Sequence, residues 1–502
     1  MKSLCSEYPA AVYTAKQIKQ LDRVAADELG VSSYELMCRA GKDAFELLKN
    51  HWPAAQTMAV FCGPGNNGGD AYVLAEVALE HGMQVRLISV TPEQQLQGDA
   101  AEAWSKCRQQ NVRFEMFSAD CPITEDVIVD GLLGIGLTRG LEGDIQAAVE
   151  MINASGIPVL ALDIPTGLDA NTGMVHGSSV TADMTVAFVG LSQGLFLGVG
   201  PDYVGKLEFS CLSIPSSLYD QVTARVQRIT TSILEKTLRP RSQLAHKGMN
   251  GSLLLVGGAP GMSGAIRLAS EAALRSGAGL VRVATHPNSV ASVMAGRAEV
   301  MCYGVMNQEE LQPLLQSVEA VVLGPGLGQS AWAQKLWECV IESQLPVILD
   351  ADGLNLLSSN VIARGNWILT PHPGEAARLL KMDTATVQAD RLGTTAELVR
   401  LFKGVTVLKG ACSLISAGKH PISLCDRGNP GMATAGMGDV LAGLLGGLVV
   451  QIGNLELTAQ AGVFIHAVSG DSAALDGERG LLAGDVIGNI RSWMNPPYSS
   501  HK

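Results

Sequence analysis

The sequence predicts an α/β protein of two successive domains, each a mostly parallel sheet covered by helices. Three observations carry that reading. Apolar strand-like runs alternate with helix-like segments along the chain, the pattern of repeated βαβ units. At 502 residues the chain exceeds what one core comfortably serves. The periodicity weakens once, around residues 210–241, where Ser213-Ile-Pro-Ser-Ser217 and Arg239-Pro-Arg241 stand, and a fresh strand follows. The joint is placed there, with domains expected over 1–220 and 225–498.

Composition narrows the class. Hydrophobic residues make up 47% and charged residues 17%, which fits an ordered protein with much buried surface. The net charge of -12 argues against nucleic acid and anionic membranes, so neither is expected as a partner. Anionic ligands would need local cradles. The ten cysteines include no pair at C-x₂₋₄-C spacing, which gives neither a zinc site nor a disulfide framework. Residues 1–12 lack an apolar h-region, so no signal peptide is expected and the location is read as cytoplasmic. The longest uncharged apolar stretch follows Asp439 and is broken by Gly443, Gly446 and Gly447, which suits a core helix better than a membrane span.

In the first half, Thr14-Ala-Lys-Gln17 and Ser32-Ser-Tyr-Glu35 are capping-box patterns. Ile18, Leu21 and Leu29 follow the first near helical spacing. Leu36, Ala40, Ala44, Leu47 and Leu48 follow the second. Strands are expected at 58–62, 85–90, 127–130, 158–163 and 185–189. A glycine loop and a helix over about 71–81 join the first two of these strands.

That loop, Gly63-Pro-Gly-Asn-Asn-Gly68, formally matches the dinucleotide pattern G-x-G-x-x-G. Its acidic partner is uncertain, because only Glu93 is available and it lies beyond a Thr-Pro turn. The side chains say more. Asn66, Asn67 and Asp70 bring hard oxygens where a pyrophosphate turn needs only backbone, and such donors suit an alkali or alkaline-earth cation. Asp130 and Asp163 end two later strands, and strand ends converge on one crevice in a doubly wound sheet. Each Asp alone also fits a turn or cap.

Asn66-Asn-Gly-Gly-Asp-Ala71, the loop Gly131-Leu-Leu-Gly-Ile-Gly-Leu-Thr-Arg-Gly140 and Asp163-Ile-Pro-Thr-Gly167 resemble the NAD(P)H-hydrate epimerase family, from the first helix to about residue 215. The resemblance implies a Rossmann-like three-layer α/β/α domain. It implies a potassium ion near Asn67, Asp130 and Thr166. The hydrated cofactor would contact Asn66, Asn67, Gly68, Gly69 and Asp70, and also Gly134, Ile135, Gly136, Leu137, Thr138, Arg139 and Gly140. Asp163 would be the acid/base for inversion at the hydroxylated carbon, since loss and return of a hydroxyl needs a placed proton carrier.

In the second half, strands are expected at 252–256, 280–284, 320–323, 347–350, 367–369 and 406–409, with a helix over about 265–275. The most informative stretch is Asn429-Pro-Gly-Met-Ala-Thr-Ala-Gly-Met-Gly-Asp-Val-Leu-Ala-Gly443, a flexible run leading into a buried helix over 440–450. A glycine-rich turn entering a helix N-terminus collects unpaired N–H groups and makes an anion site. A carboxylate there suits phosphate on the amides with Asp439 taking a proton beside it. The plainer alternative is an N-cap.

Together with 257–264, 324–328, Thr370-Pro-His-Pro-Gly-Glu375 and Lys409-Gly-Ala-Cys-Ser413, this stretch resembles the ribokinase-like superfamily. Within it, Ala245-His-Lys-Gly248 and Leu349-Asp-Ala-Asp-Gly353 make it similar to the ADP/ATP-dependent NAD(P)H-hydrate dehydratases over about 230–495. By resemblance, Lys409, Gly410, Ala411, Cys412, Ser413 and Gly438 hold the adenine nucleotide. Ala265, Gly326 or Gly328, His372 and Asp439 face the hydrated cofactor. Asp439 would deprotonate the ring hydroxyl for attack on the terminal phosphoryl group, and phosphate would then leave. Magnesium is expected with the nucleotide, with Glu375 reaching it through water.

The whole chain then reads as a bifunctional repair enzyme. The first half epimerises the R and S hydrates, NADHX and NADPHX. The second dehydrates the S form with ADP, releasing AMP and phosphate, with ATP left open. A homo-oligomer is expected. The main rival is a ribokinase-like small-alcohol kinase fused to a non-catalytic ligand-binding domain. A scaffold role for the first half and a dehydrogenase resting on residues 63–68 stand behind it.

Overall fold

A computed structural model describes residues 8–120, 122–418 and 421–496. The chain divides into two compact units between Val226 and Gln227. In the first, Thr14 caps helix Ala15–Leu29 in a capping box with Gln17, and Ser32 caps helix Ser33–His51. Both starts are the ones the sequence signals. Their apolar faces join a core that also takes in Val60, Val129, Leu160 and Val186 from the sheet.

That sheet has seven parallel strands in the order Arg113–Met116, Gln84–Ser89, Thr57–Cys62, Val127–Gly131, Val159–Leu162, Met184–Phe188, Lys206–Ser210. The chain runs from Thr57–Cys62 to one edge and returns on its other side at Val127–Gly131. A topological switch point therefore opens between the carboxyl ends of these two strands. Every residue of Val127–Gly131 is buried, as expected of a strand covered on both faces.

One expectation needs correcting. The helix after the first of these strands runs Asn66–Glu80, starting at residue 66 and not near 71. The residues read as a loop are its first turn. A Cβ on Gly68 would lie 2.1 Å from the Gly63 carbonyl oxygen, and one on Gly69 would lie 2.5 Å from Met37 Cε. The helix start is pressed onto the strand end and a neighbouring helix, so these glycines serve close packing.

The second unit repeats the plan. Its parallel strands stand in the order Met301–Gly304, Leu280–Thr285, Ser252–Val256, Ala320–Leu323, Val347–Leu349, Trp367–Leu369, Val405–Leu408. The switch point lies between Ser252–Val256 and Ala320–Leu323. An antiparallel pair, Ser413–Ser416 and Ile422–Cys425, extends the sheet beyond Val405–Leu408. The sequence reading missed this hairpin.

Helix Met437–Ile452 packs along helix Ser263–Arg275. A Cβ on Gly443 would fall 1.9 Å from the Ala269 carbonyl oxygen, and one on Gly447 would fall 1.8 Å from Ser276 Oγ. Four residues apart, these glycines lie on one helix face and let the two backbones touch. The apolar stretch after Asp439 is thus a core helix. Among the described residues no helix is long and apolar enough to cross a membrane.

Candidate active sites

In the first unit the predicted residues meet at the switch point. Asp130 ends the strand Val127–Gly131 fully buried. Its Oδ1 accepts from Thr166 Oγ1 at 2.7 Å and from the Leu132 N–H at 3.2 Å; its Oδ2 accepts from the Thr166 N–H at 2.8 Å. Burial still pushes its pKa up to about 6 against those donors.

Asp163 follows the next strand, Val159–Leu162, at φ 65, a left-handed value that costs a non-glycine residue energy. The Ile164 N–H reaches the Leu162 carbonyl at 2.8 Å across it, closing a three-residue turn. Asp163 Oδ2 accepts from the Ile135 N–H at 3.0 Å. Burial lifts its pKa to about 6, opposed by that N–H and by Lys19.

Asn67 is only 8% exposed, and neither its amide nitrogen nor its oxygen has a partner. A buried amide left unsatisfied is costly and marks a place for a ligand. The loop at Gly134 joins Asn67 to Asp163: a Cβ there would lie 2.7 Å from Asp163 Oδ2 and 3.4 Å from Asn67 Cγ. Asp70, also in the first helical turn, is raised well above the ordinary carboxylate range by burial and then by repulsion from Asp163 and Asp22. Leu137 packs on the apolar cluster around Phe61 and Ile128, while Thr138, Arg139 and Gly140 are exposed.

In the second unit Asp439 is the third residue of helix Met437–Ile452, after Gly436 as N-cap at φ 91. Gly436, not Asp439, occupies the N-cap position, so the N-cap alternative falls away. Burial first, then repulsion from Asp350, raises its pKa to about 7 against the pull of Lys409.

Lys409 ends the strand Val405–Leu408. Its Nζ lies 2.8 Å from Asp350 Oδ1 and 3.7 Å from Glu375 Oε2. A Cβ on Gly438 would lie 3.4 Å from that Nζ, which places the lysine against the helix start beside Asp439. Glu375 Oε2 also accepts from the His372 N–H at 2.8 Å. His372 Nδ1 in turn accepts from the Gly374 N–H at 3.0 Å, so His372 is the N-cap of helix Pro373–Leu380. Its pKa is lowered by burial and by Lys409 and Arg378.

At the switch point itself, Gly326 backs onto Ala265: a Cβ on the glycine would lie 3.2 Å from that of the alanine. The Gly328 N–H donates to Asp352 Oδ2 at 2.8 Å. Ala351, at φ 47, turns the chain so that Asp350 faces Lys409 while Asp352 holds Gly328.

Several residues escaped the sequence reading. Lys19 and Asp22 reach the first site from helix Ala15–Leu29, where they read only as its polar face. Arg391, buried in helix Arg391–Phe402, donates to the Cys412 carbonyl at 2.9 Å and to the Leu408 and Lys409 carbonyls at 3.4 Å. It thereby shapes the 409–413 loop. His466 has a buried Nε2 without a partner, and its pKa falls to about 4 through burial. A lone His in an apolar helix gave no signal.

These features define a two-site α/β enzyme with a Rossmann-like and a ribokinase-like half. The family described as NAD(P)H-hydrate dehydratase matches residues 253–491, and the YjeF-related protein N-terminus matches residues 33–194. The bifunctional NAD(P)H-hydrate repair enzyme Nnr of Coxiella burnetii is 45% identical, covering 97% of this chain and 99% of its own. The protein of the same name from Escherichia coli is 40% identical over 99% and 96%. A ribokinase-like superfamily protein of Enterococcus faecalis superposes with TM-score 0.50 at 28% identity, covering 54% of this chain and 95% of its own. The chain belongs to the bifunctional NAD(P)H-hydrate repair enzymes. Relatives that carry both halves along their full length do not favour the fused small-alcohol kinase.

Proposed function

We propose that the first unit interconverts the two epimers of NADHX and NADPHX, and that the second dehydrates the S epimer with ADP as phosphoryl donor. The observation that carries this reading is Asp439. It stands in the first turn of a helix, beside Lys409, with a pKa near 7, and is therefore poised to take a proton at neutral pH. The amides at 436–438 offer charge stabilisation to a transferring phosphoryl group. Asp439 takes the proton of the ring hydroxyl, the oxygen attacks the terminal phosphorus of ADP and AMP leaves; phosphate then departs as the ring nitrogen lone pair forms a C=N⁺ bond, and loss of a proton from the adjacent ring carbon restores the dihydronicotinamide.

In the first unit, Asn67, Asp130 and Thr166 fit a potassium ion. All three offer hard oxygen, and Asn67 Oδ1 is buried without a donor. The ion would supply charge that balances the buried carboxylates. In the second unit Asp350 and Glu375 are committed to Lys409, and Asp352 to Gly328. That arrangement suits magnesium carried on the nucleotide phosphates, with Glu375 reaching it through water. Lys409, the loop 410–413 and Gly438 line the nucleotide side; Ala265, Gly326, Gly328 and His372 line the hydrate side.

The test gives purified protein both NADPH-hydrate epimers with magnesium and potassium, and follows dihydronicotinamide absorbance with ADP, with ATP and with neither. Complete recovery with ADP is expected. Recovery of one epimer only would leave the first unit as a binding domain. No recovery with either nucleotide would remove the reading.

A further inference from the structure

Helix Ala15–Leu29 lies over the strand ends that carry Asp163. Its buried stripe, Ile18 and Leu21, seats on Gly190: a Cβ there would lie 3.3 Å from Ile18 Cγ1 and 3.5 Å from Leu21 Cδ1. Gly190 follows the strand Met184–Phe188, whose Val186 carbonyl accepts from the Asp163 N–H at 2.8 Å. The helix is thus fixed above Asp163. On its flank stand Lys19 and Asp22, three residues apart and so neighbours on the helix surface. Lys19 Nζ comes within 3.8 Å of the Cβ position of Gly136, on the loop whose Ile135 N–H holds Asp163. Asp22 is half-buried and has no hydrogen bond or ion pair among the described residues, yet lies close enough to Asp163 and Asp70 for their charges to repel.

A cluster of carboxylates alone would not make a site. Here Asn67, 8% exposed and with both amide atoms unpartnered, reaches the same Gly134 surface as Asp163. The groups surround a place built for something polar.

We infer that Asp22 is the second catalytic carboxyl of the first site, working on the opposite face of the substrate ring from Asp163. This rests on the epimerase reading above. Inversion by loss and return of hydroxyl needs a proton delivered on one face and removed on the other. One carboxyl protonates the departing hydroxyl, the C–O bond breaks with its electrons on oxygen, and the ring nitrogen lone pair forms a C=N⁺ bond. Water then adds from the other face and gives its proton to the other carboxylate, so the pair exchanges roles. Such a pair must hold one proton between two groups near neutrality. Burial lifts Asp163 to about 6 and, with repulsion from Asp163, lifts Asp22 to about 7, while Lys19 pulls both down, which meets that need.

The test compares the parent chain with Asp22→Asn and Asp22→Glu. Epimerisation of the R hydrate should fall about 100-fold or more in Asp22→Asn and recover in part in Asp22→Glu. The pH profile of Asp22→Asn should lose one limb. ADP-dependent dehydration of pure S hydrate and calorimetric binding of the hydrate should stay at parent levels. Epimerisation by Asp22→Asn within about threefold of the parent, with both limbs kept, would overturn the inference. So would equal loss of hydrate binding, which would make Asp22 a structural residue. A parent chain that dehydrates S hydrate but never inverts R hydrate would instead remove the epimerase reading, and this inference with it.

Discussion

The two sites handle buried carboxylates in opposite ways. In the second unit Lys409 is nearly enclosed and joins Asp350 to Glu375, so negative charge is matched inside the protein. In the first, Asp22, Asp70, Asp130 and Asp163 share no ion pair among the described residues, and Lys19, which acts on Asp22 and Asp163, is exposed. Charge left unmatched in apolar ground must be met by protons or by an imported cation. One site holds a buried cation against its carboxylates and the other does not, which suits phosphate chemistry in the second unit and proton or cation traffic in the first.

The sharpest way to break this comparison is Asp439→Asn. It should lower ADP-dependent dehydration about 1000-fold while R-to-S epimerisation continues, as read by the two assays run separately. A residual rate near the parent would show that the amides and Lys409 suffice without a base.

Lys409→Met should leave Asp350 buried without its counter-charge, at a cost of about 3 kcal/mol of stability in urea unfolding. Restoring neutrality with Asp350→Asn in the same chain should recover much of that loss. If the single substitution costs nothing, the lysine is not what balances this cluster.

The pH dependence follows from Asp439. Burial raises it from 3.8 to about 7, so between these values the folded protein holds a proton that the unfolded chain has released. Stability from this group is present below pH 3.8 and is lost as pH rises through about 7. Asp439→Asn should flatten that part of the urea-midpoint profile, while dehydration by the parent should rise with pH across the same region.

The smallest effect is expected at Lys19. Lys19→Met should change stability by no more than about 0.5 kcal/mol, because the lysine is exposed and makes no ion pair among the described residues. It should move the epimerase pH profile upward, since Lys19 lowers the pKa of both Asp22 and Asp163. A large stability loss would make the two lysines equivalent and erase the contrast.

Much of this was legible in the chain. Capping boxes fixed the first two helices, and apolar runs fixed the central strands, because buried parallel strands are continuous and β-branched. What escaped had a physical reason each time. Glycines in the first turn of Asn66–Glu80 read as a loop because their use, close packing on Gly63 and Met37, is a tertiary fact. The hairpin after Lys409 is short and followed a loop already assigned to nucleotide. Lys19 and Asp22 lie on the solvent flank of an amphipathic helix, where sequence cannot tell a solvated charge from one aimed at a distant strand end. Asp350 stands in the sequence only as part of the motif Leu349-Asp-Ala-Asp-Gly353, because its partner Lys409 is 59 residues away.

The glycine seam between Met437–Ile452 and Ser263–Arg275 has a consequence for how this half can be altered. Two helices whose backbones touch at Gly443 and Gly447 cannot slide or spread without breaking that contact. One of them carries Asp439 near its start and the other carries Ala265 near its own. Asp439 and Ala265 are therefore held on one rigid chassis. Room for a larger or differently shaped substrate has to come from the loops at 257–262 and 324–328, and directed changes of specificity belong there.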